Sequence, residues 1–158
     1  MATPVKPIPD GYPTATPYLI VGNAARAIDF YKQAFAAAET MRMAAPGGKI
    51  MHAEIKIGTS PIMLADEFPE HDIRSPQTLG GSPVGLLLYV EDVDSFFQRA
   101  VAAGGRVLKP IQDQFYGDRS GTLIDPFGHK WTIATHKEDV SPEELHRRFE
   151  AACKQHAG

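Results

Sequence analysis

The stretch YLIVGN at residues 18–23 is matched in pattern, 69 residues later, by LLYVED at residues 87–92. In both places an apolar, strand-like run ends at a helix-capping residue, Asn23 or Asp92, whose side chain can accept from a free backbone N–H. Helically spaced apolar residues follow each run. Self-similarity at a fixed offset is typical of a duplicated structural unit. The two stretches therefore predict two copies of one unit.

The same offset extends through the rest of both copies. Strand-like segments at 38–43, 50–57 and 62–66 lie over segments at 107–112, 119–126 and 131–135. Each copy therefore has the order β-α-β-β-β. The prediction is an α+β fold in which two βαβββ modules form a curved mixed sheet around a cleft. The helical spacing comes from Ala27, Ile28, Tyr31 and Phe35 in the first copy, and from Phe96, Phe97, Ala100 and Val101 in the second.

The 158 residues favour a single domain, 1–158. Within it we expect module one at about 14–68, a crossover at 69–83 and module two at 84–136. A tail helix is predicted at 141–155, because Ser141, Pro142 and Glu144 form a capping box.

Composition narrows the classes of function. The formal net charge of -3 gives no electrostatic reason to bind nucleic acid or an anionic membrane. Cys153 is the single cysteine of the sequence, which excludes an intrachain disulfide and a cysteine zinc site. There is no apolar run of about 18 residues and no signal-peptide layout. These features predict a cytoplasmic protein without membrane spans.

Several motifs carry a resemblance to a known family. They are TPYLIVGN at 16–23, IMLADE at 62–67 and DQFYGDRSGTLIDPFGHKWTIATH at 113–136. The chain resembles the glyoxalase/bleomycin resistance/dioxygenase superfamily, also called vicinal oxygen chelate proteins, and within it the PhnB-like branch. The resemblance implies a cleft, in many members a homodimer, and in its enzymes one divalent metal held from the first and last strands of each module.

The ligand positions implied by that resemblance fall at Thr16, Met63, Gly85 and Thr132. None of the four supplies an imidazole or a carboxylate, which divalent metals require in nitrogen and oxygen sites. We therefore expect no superfamily metal site and no cofactor.

A displaced divalent-metal site is the alternative. His52 and Glu54 share a strand face, and Asp66 and His136 end the last strands of their modules. The competing interpretation is that His52 and Glu54 hydrogen-bond across the sheet, while Asp66 and His136 lie at solvated strand ends. His52 and Glu54 are the candidate catalytic residues.

A second group of residues is expected to contact a small organic ligand. Tyr18 and Tyr89 are assigned to equivalent cleft positions in the two copies, where they either stack on a ligand or fill the interior. Arg119 either binds an acidic ligand group or forms a salt bridge with Asp118. His129 is expected to be exposed and Trp131 to lie in the core. The full ligand-binding set is Tyr18, Met63, Leu87, Tyr89, Tyr116, Arg119 and Thr132.

Three functions stay open from the sequence. The first is a metal-free small-molecule-binding protein of the PhnB-like type. The second is an enzyme, a glyoxalase-like lyase or isomerase, using the displaced metal set or acid–base chemistry at His52 or Glu54. The third is a homodimeric interaction protein with a vestigial cleft.

Overall fold

The computed structural model describes Met1 and residues 3–157. The chain divides between Ser82 and Pro83 into two compact units, called unit one and unit two below. The single-domain assignment stays a prediction.

Unit one contains a four-stranded mixed sheet in the order β1-β4-β3-β2. Strand β1 runs parallel to β4, and the other neighbours are antiparallel. After β4 come a short 3-10 helix, Pro69–His71, and a one-turn helix, α2. The elements are β1 (Tyr18–Val21), α1 (Ala24–Phe35), β2 (Ala38–Ala44), β3 (Ile50–Ile57), β4 (Ser60–Asp66) and α2 (Pro76–Leu79).

Unit two repeats this arrangement with the order β5-β8-β7-β6, again with one parallel pair, β5 and β8. The α+β fold of two βαβββ modules with a C-terminal helix is confirmed. Its elements are β5 (Gly85–Tyr89), α3 (Val93–Ala102), β6 (Arg106–Asp113), β7 (Asp118–Ile124), β8 (Lys130–His136) and α4 (Pro142–His156).

Each sheet has one face covered by its helix and one open face, as the strand alternation predicts. On β1, Leu19 and Val21 are buried against α1, whereas Tyr18 is half exposed. On β8, Trp131 and Ile133 are fully buried, so the core assignment of Trp131 is confirmed. Among the candidate residues on the open faces, Tyr18 and Tyr89 are exposed, whereas Glu54 is buried.

The last strand of each module fixes the start of the module's helix. In unit one, the buried Asp66 carboxylate accepts from the backbone N–H of Ala24 at 2.7 Å and from that of Ile50 at 2.7 Å. In unit two, Thr135 takes the equivalent position, and its hydroxyl accepts from Val93 N–H at 2.9 Å. Both side chains satisfy an N–H that the helix itself leaves unpaired.

Three details of the sequence interpretation are corrected. Asp66 is buried at 7% exposure rather than solvated, because two backbone amides converge on it. His129 is buried at 9% exposure, because its N–H donates to the Asp125 carboxylate within the turn. The 69-residue offset also fails in two strands of each module. Met63 pairs with Glu54, whereas Thr132 pairs with Thr122, 68 residues after Glu54. The paired residues of β2 and β6 are shifted by the same 68 residues at the start of these strands. The hairpin connection in unit two is one residue longer.

Asp66→Asn should destabilise unit one by about 2–4 kcal/mol, because an amide cannot accept from both buried backbone N–H groups without placing its own NH2 against one of them. Urea unfolding followed by circular dichroism measures this. Asp72→Asn is the matched control, because the Asp72 side chain is 84% exposed. Equal stability of the two variants would contradict the assigned role.

Candidate functional site

The open face of the unit-one sheet brings four side chains into one hydrogen-bonded line. Tyr18 Oη lies 2.8 Å from His52 Nδ1, and His52 Nε2 lies 3.0 Å from Glu54 Oε1. The Tyr12 hydroxyl donates to the second Glu54 oxygen, Oε2. We call Tyr12, Glu54, His52 and Tyr18 the polar line. His52 and Glu54 thus hydrogen-bond to each other along β3, and the bond that crosses between strands joins His52 to Tyr18.

Glu54 is the buried member of the polar line, at 7% exposure. Hydrogen bonds from His52 and, next, from Tyr12 lower the pKa of the Glu54 carboxyl. The pKa of Tyr12 is raised by its hydrogen bond to Glu54, and the pKa of Tyr18 is raised by desolvation and by the charge of Glu54. At neutral pH, Glu54 is therefore a carboxylate, and Tyr12 and Tyr18 are protonated phenols.

A cavity of about 620 Å³ opens beside Tyr18 within unit one. Its floor is the open face of the sheet, and its wall is the segment from Phe68 to Leu79. Most of its lining is apolar. It is lined by Tyr18, Ile20, Met51, Ala65, Asp66, Phe68, Asp72, Ile73, Arg74 and Leu79.

The wall of this cavity is held by specific hydrogen bonds. The Glu67 carboxylate accepts from Ser75 N–H at 2.8 Å and from the Thr78 hydroxyl at 2.7 Å. Phe68 and Ile73 form an isolated antiparallel bridge. The segment predicted only as a crossover is therefore an ordered part of the cavity.

A β-bulge places Met51 in the cavity. Met43 pairs with His52 and the next residue, Ala44, pairs with Ile50, so Met51 is the extra residue on β3. Bulges re-aim side chains and are frequent beside functional sites. Met51 and His52 consequently both lie away from the helix-covered face.

Unit two carries a different polar cluster on its open face. The Tyr89 hydroxyl donates to Asp118 Oδ2 at 2.8 Å. His136 Nδ1 lies 2.8 Å from Asp118 Oδ1, and His136 Nε2 lies 2.8 Å from Asp139 Oδ1. Hydrogen bonds donated to Asp118 and then to Asp139 raise the pKa of His136.

The predicted equivalence of Tyr18 and Tyr89 is wrong. Tyr18 pairs with Met63, and the counterpart pair in unit two is Leu87 with Thr132. Tyr89 instead matches Ile20, one step further along the same face. Thr132 hydrogen-bonds Thr122 through their hydroxyls at 2.9 Å.

Arg119 lies on the helix-covered side of the unit-two sheet, the opposite side from Tyr89 and Thr132. Its guanidinium contacts Asp94 of α3 at 2.8 Å and Asp113 at 3.2 Å. Arg119 therefore pairs with Asp94 and Asp113 rather than with Asp118, as the sequence had suggested. Asp118 is its neighbour on β7, and neighbouring strand residues point to opposite faces of the sheet. Tyr116 lies before β7, with its ring edge-on to Phe115 at 5.3 Å.

Comparison with known proteins identifies the family. Residues 13–133 match the Glyoxalase/Bleomycin resistance protein/Dioxygenase superfamily. The chain belongs to this superfamily. An uncharacterised protein of Mycobacterium tuberculosis (strain H37Rv) is 43% identical over 136 residues, which cover 84% of this chain and 80% of that protein.

Solved structures of the superfamily fold agree with this assignment. TioX from Micromonospora sp. ML1 is 25% identical, with a TM-score of 0.62, covering 82% of this chain and all of TioX. A PhnB protein from Bacillus cereus is 20% identical, with a TM-score of 0.62, covering 78% of this chain and 99% of that one. The predicted resemblance, including its PhnB-like relatives, is confirmed.

The residues at the superfamily's predicted metal positions do not fit a divalent ion. Thr16, Met63, Gly85 and Thr132 offer two hydroxyls, a thioether and a hydrogen atom. Among Met1 and residues 3–157, no group of three or more His, Cys, Asp or Glu side chains is arranged to hold a metal. Asp66 does not join His52 and Glu54, because its two carboxylate oxygens accept from the backbone N–H groups of Ala24 and Ile50.

Two parts of the site were absent from the sequence interpretation. Tyr12 lies in a proline-rich segment without strand or helix periodicity, so nothing in the pattern links it to Glu54. The sequence of the wall, from Phe68 to Leu79, contains only turn signals, so it was predicted only as a crossover. The Ser75-Pro76 pair was the available clue, since serine before proline is typical of a helix start.

His136 should titrate above its ordinary pKa of about 6.5, because Asp118 and Asp139 stabilise its charged form. The interaction stabilises unit two fully below that ordinary value and is lost as the pH rises through the higher folded pKa. An NMR titration of the imidazole protons measures this pKa. Asp118→Asn and Asp139→Asn should each lower it, whereas Glu143→Gln, a control, should leave it unchanged. An unchanged value in all three variants would contradict the assignment.

Proposed function

We propose that this protein binds a small, largely apolar organic molecule in the unit-one cavity and does so without a coordinated metal. The observation that carries the proposal is the cavity itself. A volume of about 620 Å³ lies within the usual range of about 300–1,000 Å³ for ligand sites. Such sites combine an apolar lining with a few placed polar groups, here Tyr18 at one side and Arg74 with Asp72 at another.

Exposed apolar side chains around the cavity supply the driving force. Met51, Ile73 and Leu79 are 50%, 39% and 64% exposed. Covering apolar surface here would contribute roughly 25 cal/mol per Å² before the costs of association. A concave group of large exposed apolar residues is typical of an interaction site.

The metal-free part of the proposal rests on the donor set. The four superfamily positions lack anionic or imidazole donors, and the carboxylate of Asp66 is already shared between two backbone amides. The lyase or isomerase using a displaced metal is therefore not our proposal. A homodimer and a cytoplasmic location stay predictions. None of the helices described in residues 3–157 is long and apolar enough to cross a membrane.

Filling the cavity should abolish binding. Ala65 lies on its floor, so Ala65→Leu should weaken binding of 2-naphthol at least about tenfold by occupying the same space. The wild type should bind this probe with a dissociation constant of about 10–100 μM, measured by isothermal titration calorimetry.

Ala102→Leu is the matched control, because Ala102 is exposed on α3 of unit two. It should bind 2-naphthol as the wild type does. Absence of binding by the wild type at about 1 mM probe, or equal binding by the two leucine variants, would refute this location of the site.

Metal loading tests the other half of the proposal. After dialysis against Mn²⁺, Ni²⁺ or Zn²⁺ and gel filtration, elemental analysis should find well under one ion per chain, because the required donors are missing. Thermal melting should be unchanged by these ions. One tightly held ion per chain would disprove a metal-free site.

A further inference from the structure

We propose that Tyr18 acts as a hydrogen-bond acceptor toward the ligand, so that the cavity selects apolar molecules carrying a hydroxyl or N–H group. This inference rests on the proposed function, because it concerns the same cavity. It adds a ligand class, which follows from the direction of the hydrogen bonds in the polar line.

The direction is set at Glu54. A carboxylate can only accept hydrogen bonds. Glu54 accepts from the Tyr12 hydroxyl at one oxygen, and its other oxygen lies 3.0 Å from His52 Nε2. His52 Nε2 must therefore carry a proton.

The tautomer of His52 then decides which partner donates in the hydrogen bond between His52 and Tyr18. A neutral histidine with a proton on Nε2 has an unprotonated Nδ1, which is an acceptor. Nδ1 lies 2.8 Å from Tyr18 Oη, so the Tyr18 hydroxyl donates its proton to His52. Tyr12 and Glu54 act here as positioning residues, because they fix the tautomer of His52.

Tyr18 is then left with lone pairs only. Its side chain lines the cavity and is half exposed, and the proposal places its oxygen within reach of a bound ligand. A ligand hydroxyl or N–H gains a hydrogen bond at this oxygen. A ligand that carries only acceptors places them against the lone pairs of the Tyr18 oxygen, so no hydrogen bond forms. The polar groups of the ligand and of Tyr18 then lose their hydration without gaining a hydrogen bond in exchange.

The test compares 2-naphthol, a donor probe, with 2-acetonaphthone, an acceptor-only probe, by isothermal titration calorimetry at pH 8. The wild type should prefer 2-naphthol about tenfold. Tyr18→Phe should reduce this preference to less than about twofold. Ser95→Ala, which removes an exposed hydroxyl on α3 of unit two, should leave the preference unchanged.

Glu54→Gln tests whether the polar line sets the direction of the Tyr18 hydrogen bond, because a purely structural role of Glu54 would not reverse the preference between the two probes. With its oxygen held by Tyr12, the new amide would present N–H to His52 Nε2, so the imidazole proton would move to Nδ1 and donate to Tyr18. The Tyr18 O–H would then be free to donate into the cavity. We expect 2-acetonaphthone to bind this variant about tenfold more tightly than the wild type, with the melting temperature recorded as a check on folding.

The outcomes separate the two proposals. If the wild type binds both probes equally and Tyr18→Phe changes neither, the inference about Tyr18 is overturned while the cavity remains a binding site. If the wild type binds neither probe, the proposed function fails and the inference fails with it. If Glu54→Gln weakens both probes by the same factor, the directional role of the polar line is overturned.

Discussion

The rest of each module depends on one hydrogen bond. It joins the end of the last strand to the first backbone N–H of the helix and so fixes the helix against the sheet. Asp66 makes it to Ala24 in unit one, and Thr135 makes it to Val93 in unit two. A carboxylate and a hydroxyl perform the same task, since each accepts from an N–H that a helix cannot satisfy internally. With the helix fixed across one face of the sheet, the opposite face is left open for binding.

The two open faces have diverged in chemistry although their strands match. In unit one, Glu54 and His52 hydrogen-bond to each other on β3, and a bulge turns Met51 into the cavity. In unit two, the residue at the position of Glu54 is Thr122, and acidity lies instead at Asp118, at the start of β7. A duplicated scaffold therefore presents an apolar cavity with a buried carboxylate in one unit and a carboxylate-flanked imidazole in the other.

Much of the fold was predictable because its signals are local. Helix caps at Asn23 and Asp92 and the alternation of Leu19 and Val21 with Tyr18 depend on near neighbours in sequence. The metal-poor donor set was likewise readable from residue types. The features that were not predicted depend on strand register and on tertiary contact. One extra residue in the hairpin of unit two shifts the residue that corresponds to Glu54. Tyr12 contacts Glu54 although the two are 42 positions apart in the sequence. The partners of Arg119 were mispredicted because Asp94, on α3, lies 25 positions away in the sequence.

The amino-terminal arm has a practical importance that its exposure conceals. Residues 3–11 are exposed, yet Tyr12, directly after them, donates a hydrogen bond from its phenol to the Glu54 carboxylate. From Glu54, two hydrogen bonds lead through His52 to Tyr18 at the edge of the cavity. An affinity tag or a shortened start that displaces this arm would therefore remove the hydrogen bond to Glu54. Under the proposal for Tyr18, it would also change ligand recognition from outside the cavity.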